Sequence, residues 1–95
     1  MYKFSKKTFD YLTNRGFNFS YQGFHYLGYM METCDSAYNF TIVDMYKEIA
    51  GYFHTTYAAV EKSIRYLFSK LNMKVSRKLL IELMIEYKGR KAYGQ

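Results

Sequence analysis

Apolar residues recur every three to four positions along this chain, and no stretch keeps the two-residue alternation of a half-buried strand. The clearest run is Ile42 to Leu71, IVDMYKEIAGYFHTTYAAVEKSIRYLFSKL, which reads as helices over about 42–53 and 57–71 with a very short turn between them. Ile42, Met45, Ile49, Ala50 and Phe53 share one face of the first helix, and Asp44, Lys47 and Glu48 lie on its polar side. In the second, Val60, Ile64, Leu67, Phe68 and Leu71 point inward. Tyr57, Ala58, Glu61, Lys62, Arg65 and Ser69 fall opposite. Thr41 and Thr56 stand at the N-cap positions, and Phe40 is spaced to staple to Met45. His54 and Thr55 make the turn, where the backbone needs a residue tolerant of positive φ, and His is enriched in that region.

The flanking sequence supplies three more helices. Ser5 caps the first, with Phe4 stapling to Phe9, Phe9 and Leu12 inward and Gly16 as the stop. Phe17 and Phe19 are expected as core anchors in the loop that follows. A second helix runs from after Ser20 to about Ser36, with Phe24, Leu27, Met30, Met31 and Cys34 as its stripe. Gly23 and Gly28 each cost it roughly 1 kcal/mol against Ala, which close approach of a neighbouring helix would offset. Residues 35–40 form a polar turn. After a break at Asn72–Val75, Ser76 opens a last helix carrying Leu79, Leu80, Leu83, Met84 and Tyr87, with Gly89 as its expected end and a mobile tail over 90–95. The expectation is one small all-α, five-helix domain over 1–95 that contains a helix-turn-helix.

Composition narrows the function classes. Apolar residues are 49% of the 95 and aromatics 21%, enough for a core without metal or disulfide staples. One cysteine cannot form an internal disulfide, so a reducing cytoplasm is the expected location. The start does not read as a basic-then-apolar leader and no run is long and apolar enough to span a bilayer, so neither is expected. His25 and Cys34 stand nine positions apart without partner residues, so neither a metal site nor a nucleophile–base pair is expected. With no paired carboxylates and no phosphate loop either, neither an enzyme nor a cofactor is expected.

Charge adds direction. Lys3, Lys6, Lys7 and Arg15 against Asp10 give residues 1–20 a charge of +3. Lys47 against five acids gives residues 21–61 −4, and nine cations against Glu82 and Glu86 give residues 62–95 +7. The sign changes within the second motif helix, which suggests a polyanionic partner, nucleic acid before an acidic membrane. A helix that enters the major groove exposes short or polar residues near its start, and Tyr57-Ala58-Ala59 followed by Glu61, Lys62 and Arg65 meets this demand. Arg can bind guanine through two hydrogen bonds, and Glu can accept from cytosine. The free N–H groups at the start of the supporting helix offer a phosphate seat. Any αα-hairpin in a helical bundle shares this spacing, so spacing alone is not proof.

Residues Tyr46–Phe68, YKEIAGYFHTTYAAVEKSIRYLF, resemble the helix-turn-helix in the C-terminal DNA-binding domain of the sporulation response regulators of the stage-zero regulator A family. That family shows a similar Y-x-x-I-A-x-x-F-x-T-T-x-x-x-V-E-(R/K)-x-I-R run, and Gln22–Leu27 is similar to its (K)GY-x-YL helix start. The likeness covers roughly residues 9–71. It implies sequence-specific binding of double-stranded DNA at a short box of the TGTCGAA kind, and transcriptional regulation. Thr56, Tyr57, Ala58, Glu61, Lys62 and Arg65 fall in the interface it implies. A second copy on paired sites or another regulatory protein stays open as a further partner, although the family's dimer contacts cannot be carried over, and no membrane partner is expected.

The chain departs from the family pattern in several places. Lys62 stands where arginine is usual, Ala58-Ala59 replace a Ser-Arg pair, and Tyr57 is bulkier than usual. Nothing in the 95 residues corresponds to a receiver domain, and residues 72–76 replace an extra helix and a long loop. These departures, with twelve Tyr to accommodate, leave a second class of function open: an interaction module of the same fold that binds or modulates another regulator without reading DNA. An RNA or single-strand binder, stacking bases on Tyr, is a third.

Overall fold

The computed structural model describes residues 3–33 and 41–93, with backbone only for 90–93. Five helices follow in order: α1 Lys6–Asn14, α2 Gln22–Thr33, α3 Ile42–Phe53, α4 Tyr57–Ser69 and α5 Arg77–Tyr93. No strand occurs among the described residues. The expected end of the second helix near Ser36, Cys34, the turn over 35–40 and the Phe40 staple all lie outside the described residues.

The local signals act as the sequence implies. Ser5 Oγ accepts from the Thr8 N–H at 3.3 Å, and the Phe4 and Phe9 rings stack with centroids 6.4 Å apart. Gly16 takes φ +96° where α1 ends, a conformation that costs glycine little. The buried side chains form one core. Leu12, Phe24, Leu27, Met30, Met45, Ile49, Val60, Ile64, Phe68 and Leu80 are each fully enclosed. α4 lies against both α2 and α3, so its inner stripe is the hub of the packing.

Two kinds of departure appear. Phe17 is buried against Phe68, but Phe19 is 57% exposed and covers the outside of Phe9 instead of entering the core. Phe9 and Phe24 already fill the space beneath it. At the other end, α5 continues through Gly89 to Tyr93. A Cβ at Gly89 would meet nothing within 4 Å, and the glycine sits in ordinary helix at a cost of roughly 1 kcal/mol. The Arg-Lys-Ala that follow are good helix formers and carry the helix on.

A polar network fastens α1 to the other helices, and no periodicity announces it. Thr8 is completely buried; its hydroxyl donates to Glu32 Oε2 at 2.7 Å and meets the Tyr87 hydroxyl at 2.7 Å. The Ser5 N–H donates to the same Glu32 oxygen, and the Tyr11 hydroxyl reaches Glu86 at 2.6 Å. Each end of α1 is thereby tied to α2 or α5 through groups that would be costly to leave unpaired.

His25 is half-buried beside Phe4 and Phe24. Its Nε2 lies 3.1 Å from the Phe19 carbonyl, so Nε2 carries the proton, while Nδ1 is buried without a hydrogen-bond partner. Desolvation lowers its pKa below 6.5, against the raising effect of the Phe19 carbonyl. The unfolded chain therefore binds more protons than the folded one just below pH 6.5, and stability falls as pH falls. Urea midpoints should drop between pH 7.5 and 5.5, and His25→Gln should flatten that dependence; an unchanged slope would show that His25 does not carry it.

Candidate nucleic-acid interface

α3 and α4 are joined by the turn His54–Thr56, whose geometry explains the orientation of α4. His54 adopts φ 56°, ψ 46°, the left-handed conformation anticipated from its residue type. The Thr55 N–H then donates to the Ala50 carbonyl at 3.0 Å and closes α3. Thr56 returns to extended backbone, and its Oγ1 accepts from the Ala59 N–H at 3.1 Å to start α4. Ala50 is buried, as a close approach of the two helices requires. Val60, Ile64, Leu67 and Phe68 fasten the inner side of α4, which fixes which residues remain outside.

Of the sequence-predicted site residues, Thr56, Ala58, Lys62 and Arg65 are exposed, and Tyr57 and Glu61 are half-buried. Ala58, Glu61 and Arg65 fall on one stripe at helical spacing, and Arg65 Nη1 binds Glu61 Oε2 at 3.0 Å. Lys62 makes no ion pair among the described residues. It leads instead into a second stripe with Tyr66, 49% exposed, and Lys70, whose Nζ stands 4.7 Å from the centre of the Tyr66 ring. Sequence spacing passed over Tyr66 and Lys70. Their i, i+4 step from Lys62 is the signal that could have found them.

Beneath the start of α4 lies Tyr46, buried and with its ring 5.7 Å from Tyr57. Burial pushes its hydroxyl up to about 12, so the phenol stays neutral and serves as a support for the exposed stripe. At the start of α3, by contrast, the expected phosphate seat is compromised. Thr41 Oγ1 occupies the Asp44 N–H at 3.1 Å, and the Asp44 carboxylate stands in the same turn and would repel an anion. The first turns of α2 and α4 carry no acid.

Among the described residues no three His, Cys, Asp or Glu gather as metal ligands, and no helix is long and apolar enough to cross a membrane.

A capped helix locked from behind and bearing exposed polar residues in its first turns, after a tight turn from a supporting helix, has the layout of a DNA-binding regulatory domain. Residues 8–93 match the family described as the sporulation initiation factor Spo0A C terminal, and the chain belongs to that family, whose domain binds DNA. The match extends past α4 to include α5, further than the likeness in the motif itself. No curated protein and no solved structure shows a significant match.

The left-handed turn gives a direct stability test. A non-glycine residue there costs on the order of 1 kcal/mol. His54→Gly should raise stability by up to about that amount, and β-branched His54→Val should lower it, read from chemical denaturation. Equal midpoints for all three would contradict the assigned turn.

Proposed function

We propose that this chain is a sequence-specific regulator of transcription that places α4 in the major groove of double-stranded DNA. The observation that carries the proposal is the division of α4. Its apolar stripe is fully enclosed, while Ala58, the half-buried Glu61 and Arg65 lie on its outer side toward base edges, with Lys62 exposed beside them. Family membership supports the same partner. Arg65 suits a guanine, Glu61 a cytosine N4 donor, and Tyr57 and Ala58 are apolar enough to meet a thymine methyl. Thr56, whose Oγ1 accepts from the Ala59 N–H, keeps its hydroxyl proton to donate and suits a phosphate contact.

The Glu61–Arg65 pair does not oppose this role. An exposed i, i+4 pair contributes roughly 0.3–0.5 kcal/mol, whereas a good base contact is worth about 1–3 kcal/mol. The contact outweighs the pair.

A second function draws on different residues. Tyr52 is 51% exposed and stacks on Tyr29 with ring centres 4.5 Å apart. This apolar surface suits a protein partner, and binding through it without any duplex affinity would support the interaction-module alternative.

The two are separated by one substitution series. On a duplex selected from a random pool, Arg65→Ala should weaken binding by about 5- to 150-fold, the equivalent of 1–3 kcal/mol, and relax preference at one base pair. Tyr52→Ala should leave duplex affinity unchanged. An Arg65→Ala protein that binds with wild-type affinity and preference would remove α4 from the reading role.

A further inference from the structure

Beside the outer stripe of α4, the segment before α2, the start of α2 and α4 line an open recess of about 290 Å³ formed by Ser20, Tyr21, Gly23, Lys62, Ser63 and Tyr66, among others. Its origin is a backbone contact. A Cβ at Gly23 would lie 2.4 Å from the Ser63 carbonyl oxygen, so only glycine lets the start of α2 come this close to α4. Tyr21 and Tyr66 meet edge to face at 5.3 Å, and Lys70 lies over the Tyr66 ring. Ser20, Lys62 and Tyr66 form an exposed rim.

We infer that this recess seats a phosphodiester of the DNA backbone, with Lys62 as its cation and Tyr66 as a hydrogen-bonding wall; the inference rests on the proposed DNA reading. Three observations select this ligand. The nearest acid on α4, Glu61, is paired with Arg65, and Lys62 has no carboxylate partner among the described residues, which leaves its charge for an anion. Because the two Tyr rings are in edge-to-face contact, no slot remains between them for a base to stack. The recess, mostly apolar in its lining, thus offers the Lys62 cation and the rim hydroxyls of Ser20 and Tyr66 to a sugar-phosphate and no aromatic sandwich to a nucleobase. Finally, an ammonium is a point charge without the two-pronged geometry that reads guanine, which suits a phosphate better than a base edge.

Lys62 and Arg65 therefore divide the work. Arg65 reads sequence from the outer stripe, while Lys62 faces α2 and fixes where the duplex sits, three residues earlier on the same helix. Tyr66 and Tyr21 extend the interface past Arg65 on α4 and onto the segment before α2.

The test is a salt titration by fluorescence anisotropy, using the full chain on a pool-selected duplex and on a scrambled duplex of equal length. Lys62→Met should weaken both duplexes by the same factor, on the order of tenfold for a lost charged contact. The slope of log K against log salt should become shallower by about 0.9, one phosphate fewer. The ratio between the two duplexes should stay at its wild-type value, whereas Arg65→Ala lowers that ratio. Tyr66→Phe, which keeps the ring and removes the hydroxyl, should produce a smaller uniform loss. The inference is overturned if Lys62→Met alters the ratio with the slope unchanged, making Lys62 a base reader, or if it changes neither quantity. Wild-type protein that binds no duplex would overturn the DNA reading together with the recess.

Discussion

No side chain fits between α2 and α4 at Gly23, and most of what this domain presents to a partner depends on that contact. The approach of Gly23 to the Ser63 carbonyl fixes how α4 lies on α2, and the left-handed His54 fixes how it leaves α3. With both constraints in place, Val60, Ile64, Leu67 and Phe68 enter the core and α4 has no freedom to roll. The residues left outside are then determined by helical spacing. The same contact opens the recess beside Lys62, so one glycine contributes both to the rigidity of the exposed helix and to the shape next to it.

Electrostatics on α4 are divided between two stripes. On one, Glu61 and Arg65 neutralise each other at 3.0 Å, a weak exposed pair that a base contact can displace. On the other, Lys62 and Lys70 flank Tyr66 with no acid interposed, and the positive charge of residues 62–95 begins there. An anionic duplex would be drawn by the second stripe and discriminated by the first, the usual separation of backbone positioning from base readout.

Features that depend on neighbours in sequence were legible before the structure. The caps at Ser5, Thr41 and Thr56, the positive φ of His54 and the apolar stripes of α3 and α4 all follow from residue type within one or two helical turns. Features that depend on distant residues were not. Thr8 meets Tyr87 across 79 positions, and nothing in the local pattern marks that threonine as buried. Phe19 looked like a core anchor by composition, but the rings of Phe9 and Phe24 had already taken the space. Gly28 is explained by a side chain and not, as expected, by a helix: the Phe4 ring lies 2.8 Å from where its Cβ would be. Gly89 carried the usual sign of a helix end, yet glycine permits a stop without imposing one. The site divides in the same way. Spacing puts Glu61, Lys62 and Arg65 on the outer side of α4, whereas the meeting of Lys62 with Tyr21 and Gly23 at one recess required the fold, because those residues lie just before and at the start of α2, about forty positions away.

The central claim is that the exposed face of α4 is the surface that meets DNA. Amide chemical-shift mapping on adding a pool-selected duplex tests it most directly. The account predicts shifts concentrated at Thr56–Tyr66 and at Ser20–Gly23, with the side of α3 around Tyr52 unaffected. Shifts confined to that α3 surface, or none on α4, would contradict it.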